Sequence, residues 1–283
     1  MTIRFWKMSG AGNDFIVMPC VPEDLPEGPA SFVRRVCRRG LSVGADGVLF
    51  VTLIPGGSAA SLDGDAVLVH YNSDGGRSDF CGNGSRCAAR FAVMMGVAAS
   101  PLRLRTDIGV LLAEVDAQRE RVRIEAPTPS VPARRRCEVG GRAYEGWFVL
   151  AGVPHMVLPV DSPETVDVAS LGARLRSHPA MGTAGANVDF LGPLVAGKRR
   201  LRTFERGVEG ETLACGSGAL AAAAVLAREG ETSPVVLTPT SGLDLEVDFQ
   251  GGTPPRAFHL TGEARIVFEG VLSAGPGQDI IAP

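Results

Sequence analysis

The chain has 283 residues, 45% of them hydrophobic, and a formal net charge of −3 at pH 7. This length allows one or two buried cores, and the weak negative charge excludes a general attraction for nucleic acid. The dense basic runs, Arg134–Arg136 and Lys198–Arg200, are short and typical of solvated turns. No segment approaches the roughly 18 apolar residues of a membrane span, and six cysteines are too few for a disulfide-stapled secreted domain. We therefore expect a cytoplasmic protein without a nucleic-acid or membrane partner.

In the first half, apolar runs bounded by glycine and proline turns predict short strands. These are Ile3–Met8, Phe15–Met18, Val48–Ile54, Ala66–Asn72, Leu102–Thr106, Val110–Asp116 and Arg121–Ala126, with a hairpin loop before Ala66. A helix is predicted over Ser31–Arg39, with a serine N-cap and Gly40 at its exit, after a loop at Glu23–Ala30. A second helix follows Cys81 and ends near Met95. The proline-rich segment Pro127–Pro132 is predicted to be a linker.

The second half repeats segments of the first half in the same order. Four pairs of segments correspond: Gly152–Pro159 with Gly12–Pro19, Gly185–Asn187 with Gly44–Asp46, Cys215–Gly230 with Cys81–Gly96, and Ala264–Val267 with Val122–Ile124. Their offsets lie between 134 and about 142 residues, which is far too long for a solenoid repeat. We infer two halves of similar fold that arose by duplication.

The repeated helix decides the expected architecture. Ala219–Ala227 is apolar nearly all round, and such a helix must be buried on most sides. We therefore expect an α+β fold of two pseudo-symmetric domains. Each would be a curved, mostly antiparallel, barrel-like sheet wrapped around a central helix, with the active site at the interface. The predicted domains are 1–127 and 128–271, and the C-terminal tail, about 272–283, can return to the first.

Cys81 and Cys215 each precede a Gly-x-Gly helix start. The free N–H groups and the dipole of a helix N-terminus stabilise anions, which would lower the pKa of each thiol. The N–H groups at Gly82, Asn83, Gly216 and Ser217 can bind a substrate carboxylate. The other four cysteines fit the role of small buried hydrophobes.

Two such thiols on opposite sides of a carbon acid can invert a stereocentre without a cofactor. One thiolate removes the α-proton and the opposite thiol delivers a proton to the other face. N–H groups around the carboxylate would stabilise the developing enolate-like charge.

Cofactor and metal sites are not indicated. Gly216–Ala221 fits a loose dinucleotide pattern, but no long strand precedes it and no acidic residue follows at the required distance. Cys81 and Cys87 are too widely spaced for a zinc pair. Lys7 and Lys198 are the only lysines, and neither has the context of a pyridoxal phosphate Schiff base. We expect no cofactor and no metal.

A set of motifs resembles a known family. They are Met8–Phe15, Gly44–Gly47, Asn72–Gly75, Cys81–Cys87, Pro154-His155, Asn187 and Glu205–Gly218. In these segments, and over nearly the whole chain, the sequence resembles the diaminopimelate epimerases, which interconvert LL- and meso-diaminopimelate. The resemblance implies an isomerase of lysine and cell-wall precursor biosynthesis, a diamino dicarboxylic acid substrate and a homodimer.

The resemblance also implies roles for individual residues. Cys81 and Cys215 would be the paired acid and base, with His155 and Glu205 tuning their proton affinity. Glu205 could also accept a hydrogen bond from the substrate ammonium, and Arg206 could bind the distal carboxylate as a bidentate pair. The remaining polar contacts would come from Asn13, Asn72 and Asn187.

Two positions vary or depart from the pattern. Gly47 stands where many members carry glutamine, although glycine is familiar there too. Val153 stands where the family usually has asparagine, as the first-half repeat has at Asn13. An unpaired polar group in the pocket would cost about 1–3 kcal/mol, so a related cofactor-independent racemase acting on another amino acid remains an alternative. A third reading is a thiol redox switch between Cys81 and Cys215.

Overall fold

A computed structural model describes residues 2–25, 27–53, 64–96, 98–273 and 281–282. Ile54, which ends one predicted strand, most of the predicted hairpin loop before Ala66, and most of the predicted tail at 272–283 lie outside the described residues. Within the described parts of the chain, no helix is both long enough and apolar enough to cross a membrane.

The first half of the chain contains eight strands and two α-helices among its described residues. The strands are β1 (Thr2–Gly10), β2 (Asn13–Met18), β3 (Gly47–Leu53), β4 (Ala66–Asn72), β5 (Arg77–Ser78), β6 (Leu102–Thr106), β7 (Gly109–Asp116) and β8 (Arg121–Ala126). The helices are α1 (Pro29–Val36) and α2 (Gly82–Met94).

The second half contains the remaining elements. Its strands are β9 (Ala133–Val139), β10 (Arg142–Ala151), β11 (Val153–Pro159), β12 (Asn187–Val195), β13 (Lys198–Glu205), β14 (Gly210–Thr212), β15 (Val235–Thr238), β16 (Leu245–Gln250), β17 (Ala257–Glu263), β18 (Arg265–Ser273) and β19 (Ile281–Ala282). Its helices are α3 (Val168–Arg176) and α4 (Gly216–Arg228). With parallel and antiparallel pairings and four α-helices in the described chain, the predicted α+β class is confirmed.

Helix α1 begins earlier than predicted. Pro29 occupies its first turn and Gly28 is the N-cap, whereas the sequence indicated a cap at Ser31. Proline is favoured in the first turn because its missing N–H would be unpaired there in any case. The predicted loop at Glu23–Ala30 also contains a short 3₁₀ turn at Pro22–Asp24.

The described residues form two compact units. One comprises the described parts of Met1–Ile124 and Gly262–Pro283, and the other comprises Glu125–Thr261. The predicted domain limits, 1–127 and 128–271, stay a prediction.

The two units repeat one order of strand pairing around their cysteine helices. In the first, β2 runs parallel to β3 and β3 antiparallel to β4. In the second, β11 runs parallel to β12 and β12 antiparallel to β13. Helix α2 packs against β1, β2, β3, β4, β6 and β7, and α4 packs against β10, β11, β12 and β16. Each cysteine helix is therefore buried against the strands of its own unit.

Candidate functional site

Cys81 is the N-cap of α2. Its backbone is extended (φ −142°), and its Sγ accepts a hydrogen bond from the Gly84 N–H at 3.4 Å. The same sulfur lies 3.9 Å from Asn13 Oδ1, to which its S–H can donate. The thiol is half-buried, so it is held by the first turn of the helix and stays accessible. Gly82 and Asn83, the next two residues, are buried.

The Asn13 amide is fixed by its neighbours. Its Nδ2 donates to Asp46 Oδ2 at 2.5 Å, and its Oδ1 accepts from Asn83 Nδ2 at 3.5 Å. Arg39 in turn donates to Asp46 at 2.7 Å. The carbonyl of the amide is therefore directed to the Cys81 sulfur and to the start of α2.

Arg86 supports Asn83 from inside the protein. It is fully buried, donates through Nη2 to Asn83 Oδ1 at 2.7 Å and through Nη1 to the Gly82 carbonyl at 3.2 Å. Burial lowers the pKa of Arg86 to about 10, so the guanidinium remains charged at neutral pH. A buried cation thus stands beside the first turn that carries Cys81.

Asn72 lies opposite Gly47, the residue after Asp46, in the register of β3 and β4. It ends β4 with an exposed side chain, and its backbone N–H donates to the Gly76 carbonyl at 2.8 Å. None of its described contacts joins Cys81 or Asn13. Its expected contact with substrate stays a prediction.

Cys215 has the equivalent position at the start of α4 but a different environment. Its backbone is again extended (φ −123°), and its Sγ lies 3.4 Å from Ser217 Oγ. Only 6% of the residue is exposed. Burial, and then the negative charges of Glu205 and Asp189, raise the pKa of Cys215 well above its usual value.

This direction is opposite to the one expected from a helix N-terminus. The hydrogen bonds from Ser217 and from the Gly218 N–H do lower the pKa of Cys215, but they are outweighed. Desolvation disfavours a buried thiolate more than two hydrogen bonds favour it. Cys215 is therefore a protonated thiol at neutral pH.

His155 is fully buried at the centre of a hydrogen-bonded chain. Its Nδ1 donates to Asp189 Oδ2 at 2.7 Å, and its Nε2 accepts from Asn187 Nδ2 at 3.3 Å. Asn187 Oδ1 accepts from the Arg206 backbone N–H at 2.8 Å. Because both ring nitrogens are engaged within the protein, the imidazole is fixed in place and orients the Asn187 amide.

Glu205 and Arg206 follow directly at the end of β13. Both are half-buried, and the Glu205 charge acts on Cys215. The Arg206 guanidinium donates to the Ala184 carbonyl at 3.2 Å. The second unit thus brings His155, Asn187 and the Arg206 backbone together, with Glu205 near the thiol. Gly216 is buried and Ser217 half-buried in the first turn of α4.

Sequence reasoning missed four supporting residues: Asp46, Arg86, Asp189 and Thr203. Thr203 Oγ1 donates to Asp189 Oδ1 at 2.7 Å, and both residues are buried. The signal for Asp189 is a carboxylate within an otherwise apolar strand, since a buried carboxylate needs hydrogen-bond partners. Arg86 gave a similar signal, because it is a charged residue at the start of a small-residue helix.

No group of three or more His, Cys, Asp or Glu side chains suited to hold a metal ion occurs in the part of the chain that the structure describes. All six cysteines are free thiols.

Comparison with known proteins gives a consistent result. A family model described as diaminopimelate epimerase matches residues 5–130 and 147–267. The chain is 38% identical to the diaminopimelate epimerase of Aquifex aeolicus over 280 residues, covering 96% of this chain and 98% of that one. It is also 38% identical to the diaminopimelate epimerase of Gemmatimonas aurantiaca over 288 residues, covering 96% and 99%.

Solved structures with the same fold have much lower identity. A hydroxyproline epimerase from Agrobacterium vitis superposes with a TM-score of 0.68 at 16% identity, covering 96% of this chain and 91% of that chain. A phenazine biosynthesis protein of the PhzF family from Enterococcus faecalis gives a TM-score of 0.71 at 16% identity, covering 97% and 100%. At this identity the likeness extends to the fold alone.

Proposed function

The chain belongs to the diaminopimelate epimerase family, and on this premise we propose that Cys81 and Cys215 are the paired base and acid of its isomerase reaction. The substrate is a diamino dicarboxylic acid, and the reaction interconverts LL- and meso-diaminopimelate. The observation that carries the proposal is the repeated N-cap cysteine. Each of the two stands in extended backbone directly before a buried Gly-x-Gly helix start.

The chemistry balances with two thiols and no further reagent. The thiolate of one cysteine takes the α-proton, so that a C–H bond breaks and an S–H bond forms. The electron pair left on carbon delocalises into the α-carboxylate. The thiol of the other cysteine then protonates the opposite face and becomes the thiolate. The cycle ends with the two protonation states exchanged.

The protonation states favour one starting arrangement. Cys215 is buried and protonated, so it supplies the proton when the reaction starts from this state. Cys81 is half-buried and accepts a hydrogen bond from the Gly84 N–H, and we assign it the role of the first base. In the reverse direction the roles are exchanged, because microscopic reversibility requires it.

The remaining site residues bind and orient the substrate. The N–H groups at Gly82, Asn83, Gly216 and Ser217 are assigned to the α-carboxylate, whose charge grows as the proton leaves. Arg206 is assigned to the distal carboxylate. Glu205 is assigned to the substrate ammonium, and Asn13, Asn72 and Asn187 are assigned to the remaining polar contacts with the substrate.

His155 acts through Asn187. Both nitrogens of its ring are already bonded within the protein, which supports a positioning role. We further infer that the strands of each unit enclose its cysteine helix.

Deuterium incorporation tests the reaction. The protein, in heavy water under reducing conditions with LL-diaminopimelate, is expected to give the meso isomer with deuterium at the inverted α-carbon. Cys81→Ala and Cys215→Ala should each lower the rate by at least about 10²-fold, since each removes a general acid–base group. Cys137→Ala removes a buried thiol outside the site and serves as the control. Absence of exchange with the intact protein would refute the function.

Val153 supports a second candidate, a racemase for another amino acid. It opens β11 two residues before His155 and is half-buried. The exchange assay with single-stereocentre amino acids such as histidine and proline separates the candidates, because activity on them without activity on diaminopimelate favours the second. Val153→Asn should then raise activity on diaminopimelate. We also propose that the protein is a cytoplasmic homodimer. Light scattering measures the oligomeric state.

A further inference from the structure

A second buried histidine lies at the start of α2. His70 on β4 is 5% exposed, and neither of its ring nitrogens has a hydrogen-bond partner. In the strand register it stands opposite Leu49 on β3 and Ser78 on β5. Phe15 packs against the ring edge-on, with centroids 5.6 Å apart. A buried imidazole with two open nitrogens is costly unless a polar group reaches it.

The imidazole fits closely beside a glycine. A Cβ at Gly47 would lie 2.8 Å from His70 Nε2 and 2.6 Å from the Tyr71 carbonyl oxygen. Only a residue without a side chain leaves room for the ring in this position. The close packing of His70 therefore requires glycine at position 47.

A small cavity joins this histidine to the catalytic cysteine. His70, Ser78, Cys81 and Ser85 are among its lining residues, and the space open to the centre of a water molecule is about 10 Å³. This is about the space that one buried water requires. Ser85 is 1% exposed, and its hydroxyl is also without a hydrogen-bond partner. Two unpartnered polar groups and one thiol thus line a space of the size of one water.

The second unit gives an internal comparison. There Asp189 and Thr203 occupy the register positions of Leu49 and His70, and His155 occupies that of Phe15. A Cβ at Gly218 in α4 would collide with Asp189, so His155 and Asp189 lie against the first turn of that helix. Each unit therefore buries one imidazole at the start of its cysteine helix, and only the second unit supplies protein partners for it.

We propose that one water molecule occupies the cavity, is held by His70 and Ser85, and donates a hydrogen bond to Cys81 Sγ. His70 is then a positioning residue for the base, an inference that rests on the proposed function of Cys81. Burial lowers the pKa of His70 to about 4, so the ring is neutral at neutral pH and offers one donor and one acceptor. A donated hydrogen bond stabilises the thiolate relative to the thiol.

Other charged groups face Cys81 and must stay constant in a test. Asp79 and Asp107 also line the cavity, and Asp107 is paired with Arg77 at 2.6 Å. Arg86 lies on α2, the helix that Cys81 caps. Asp46 accepts a hydrogen bond from Asn13, whose Oδ1 lies near the Cys81 sulfur. None of these is changed by a substitution at His70 or Ser85.

The pH dependence of alkylation of Cys81 tests the proposal. Iodoacetamide labelling between pH 5 and 10, resolved by peptide mass spectrometry, reports the thiolate fraction of each cysteine. In His70→Leu the thiolate fraction of Cys81 at pH 7.5 should fall by about three- to tenfold, since a hydrogen bond is lost from a charged group. His70→Gln keeps a donor and an acceptor and should stay within about twofold of the wild-type value. Cys20 in the same digest is the internal control.

Two further variants keep the test decisive. His178→Gln removes an imidazole from the other unit and should leave Cys81 unchanged. Ser85→Ala removes only a hydroxyl and should lower the thiolate fraction of Cys81 by about two- to fivefold, even where His70→Leu fails to fold. An unchanged profile for folded His70→Leu or for Ser85→Ala, or equal loss in His70→Leu and His70→Gln, overturns the proposal. A chain that shows these profiles without α-proton exchange would refute only the proposed function.

Discussion

Cys81 and Cys215 occupy the same backbone position at the starts of α2 and α4, yet their side chains have different surroundings. Cys81 is half-buried and bonded to the Gly84 N–H. Cys215 is buried beside Glu205 and Asp189, and its pKa is raised, chiefly by burial. The two cysteines share their backbone position as the N-cap of a helix. The side chains that surround each thiol differ between the two units.

This difference predicts unequal reactivity. Below pH 8, Cys81 should be alkylated at least about tenfold faster than Cys215, because the thiolate is the nucleophile. Glu205→Gln removes a negative charge that raises the pKa of Cys215, so alkylation of Cys215 should become faster. Glu209→Gln, in the same segment but exposed and paired with Arg176, is the matched control. Equal rates at the two cysteines would contradict the prediction.

The sequence predicted the cysteines but not all of their supporting residues. Cys81 and Cys215 were recognisable because the same spacing occurs twice. Asp189 was not, because its contact with His155 joins residues 34 positions apart and exists only when β11 and β12 pair in parallel. The sequence also predicted a lowered pKa for Cys215, whereas the pKa is raised. That prediction was wrong because the burial of one side chain cannot be read from the sequence of a helix start.

At the scale of elements, a glycine in the first turn of each cysteine helix meets a different neighbour. A Cβ at Gly84 would lie 3.1 Å from the terminal methyl Cδ2 of Leu49, whereas one at Gly218 would collide with the Asp189 carboxylate. The terminal methyl group of Leu49 can shift by a few tenths of an ångström. Asp189 cannot shift without breaking its hydrogen bonds to His155 and Thr203.

We therefore expect opposite tolerance at two equivalent positions. Gly218→Ala should lower the free energy of unfolding by about 1–3 kcal/mol, as overpacking usually does. Gly84→Ala should stay within about 1 kcal/mol of the wild type, because alanine is also the better helix former. Urea unfolding of the two variants measures both values. A larger loss for Gly84→Ala than for Gly218→Ala would show that the neighbours have been misjudged.

The ion pairs that join β1, β2 and the loop after α1 predict acid sensitivity. Burial alone would raise the pKa of Asp14, but hydrogen bonds from Arg39 and Lys7 outweigh it and lower the pKa to about 2. The ionised carboxylate therefore stabilises the fold above about pH 4, and this contribution is lost as the pH falls towards 2.

Comparison of the wild type with Asp14→Asn measures this contribution. The wild type should lose about 1–2 kcal/mol of unfolding free energy relative to the variant between pH 4 and pH 2, allowing for partial solvent screening. Asp161→Asn changes an exposed carboxylate and should follow the wild-type curve. Parallel curves for the wild type and Asp14→Asn would exclude the assigned role.

Element predictions succeeded where a pattern is local. The strands from Leu102 to Ala126 and the helix after Cys81 were found from alternation and from turn glycines. The start of α1 was missed because Ser31 is a good cap residue, although Pro29 had already begun the helix. The short strand β5 contains only Arg77 and Ser78 and exists through its pairing with β4, which no local pattern reveals.

At the scale of the whole molecule, one compact unit is built from two distant parts of the chain. Strand β18 pairs antiparallel with β1 over most of its length. Phe5 packs edge-on against Phe268, and Ile3, Trp6 and Met8 on β1 are buried. The first unit therefore depends on residues that follow the second unit in sequence, which the repeat pattern alone did not indicate.

Removal of β18 tests this dependence. A chain ending at Thr261 should lose hydrogen-exchange protection in Thr2–Gly10, most of all at Thr2–Phe5, because β1 loses one of its two antiparallel partners and part of its apolar contact. The amides of the second unit should retain their protection in the same experiment. Phe268→Ala, which keeps the backbone pairing, should lose much less. Full protection of β1 in the shortened chain would contradict this role for β18.

The split of the first unit between the two ends of the chain also sets the order of events on the ribosome. The N-terminal residues emerge first and β1 can pair with β2, but its other antiparallel partner, β18, is made only after the 137 residues of Glu125–Thr261. At typical rates of synthesis, these intervening residues take roughly 7–27 s to translate. The unit translated second can therefore complete its fold first, and the side of β1 that pairs with β18 stays unpaired until then.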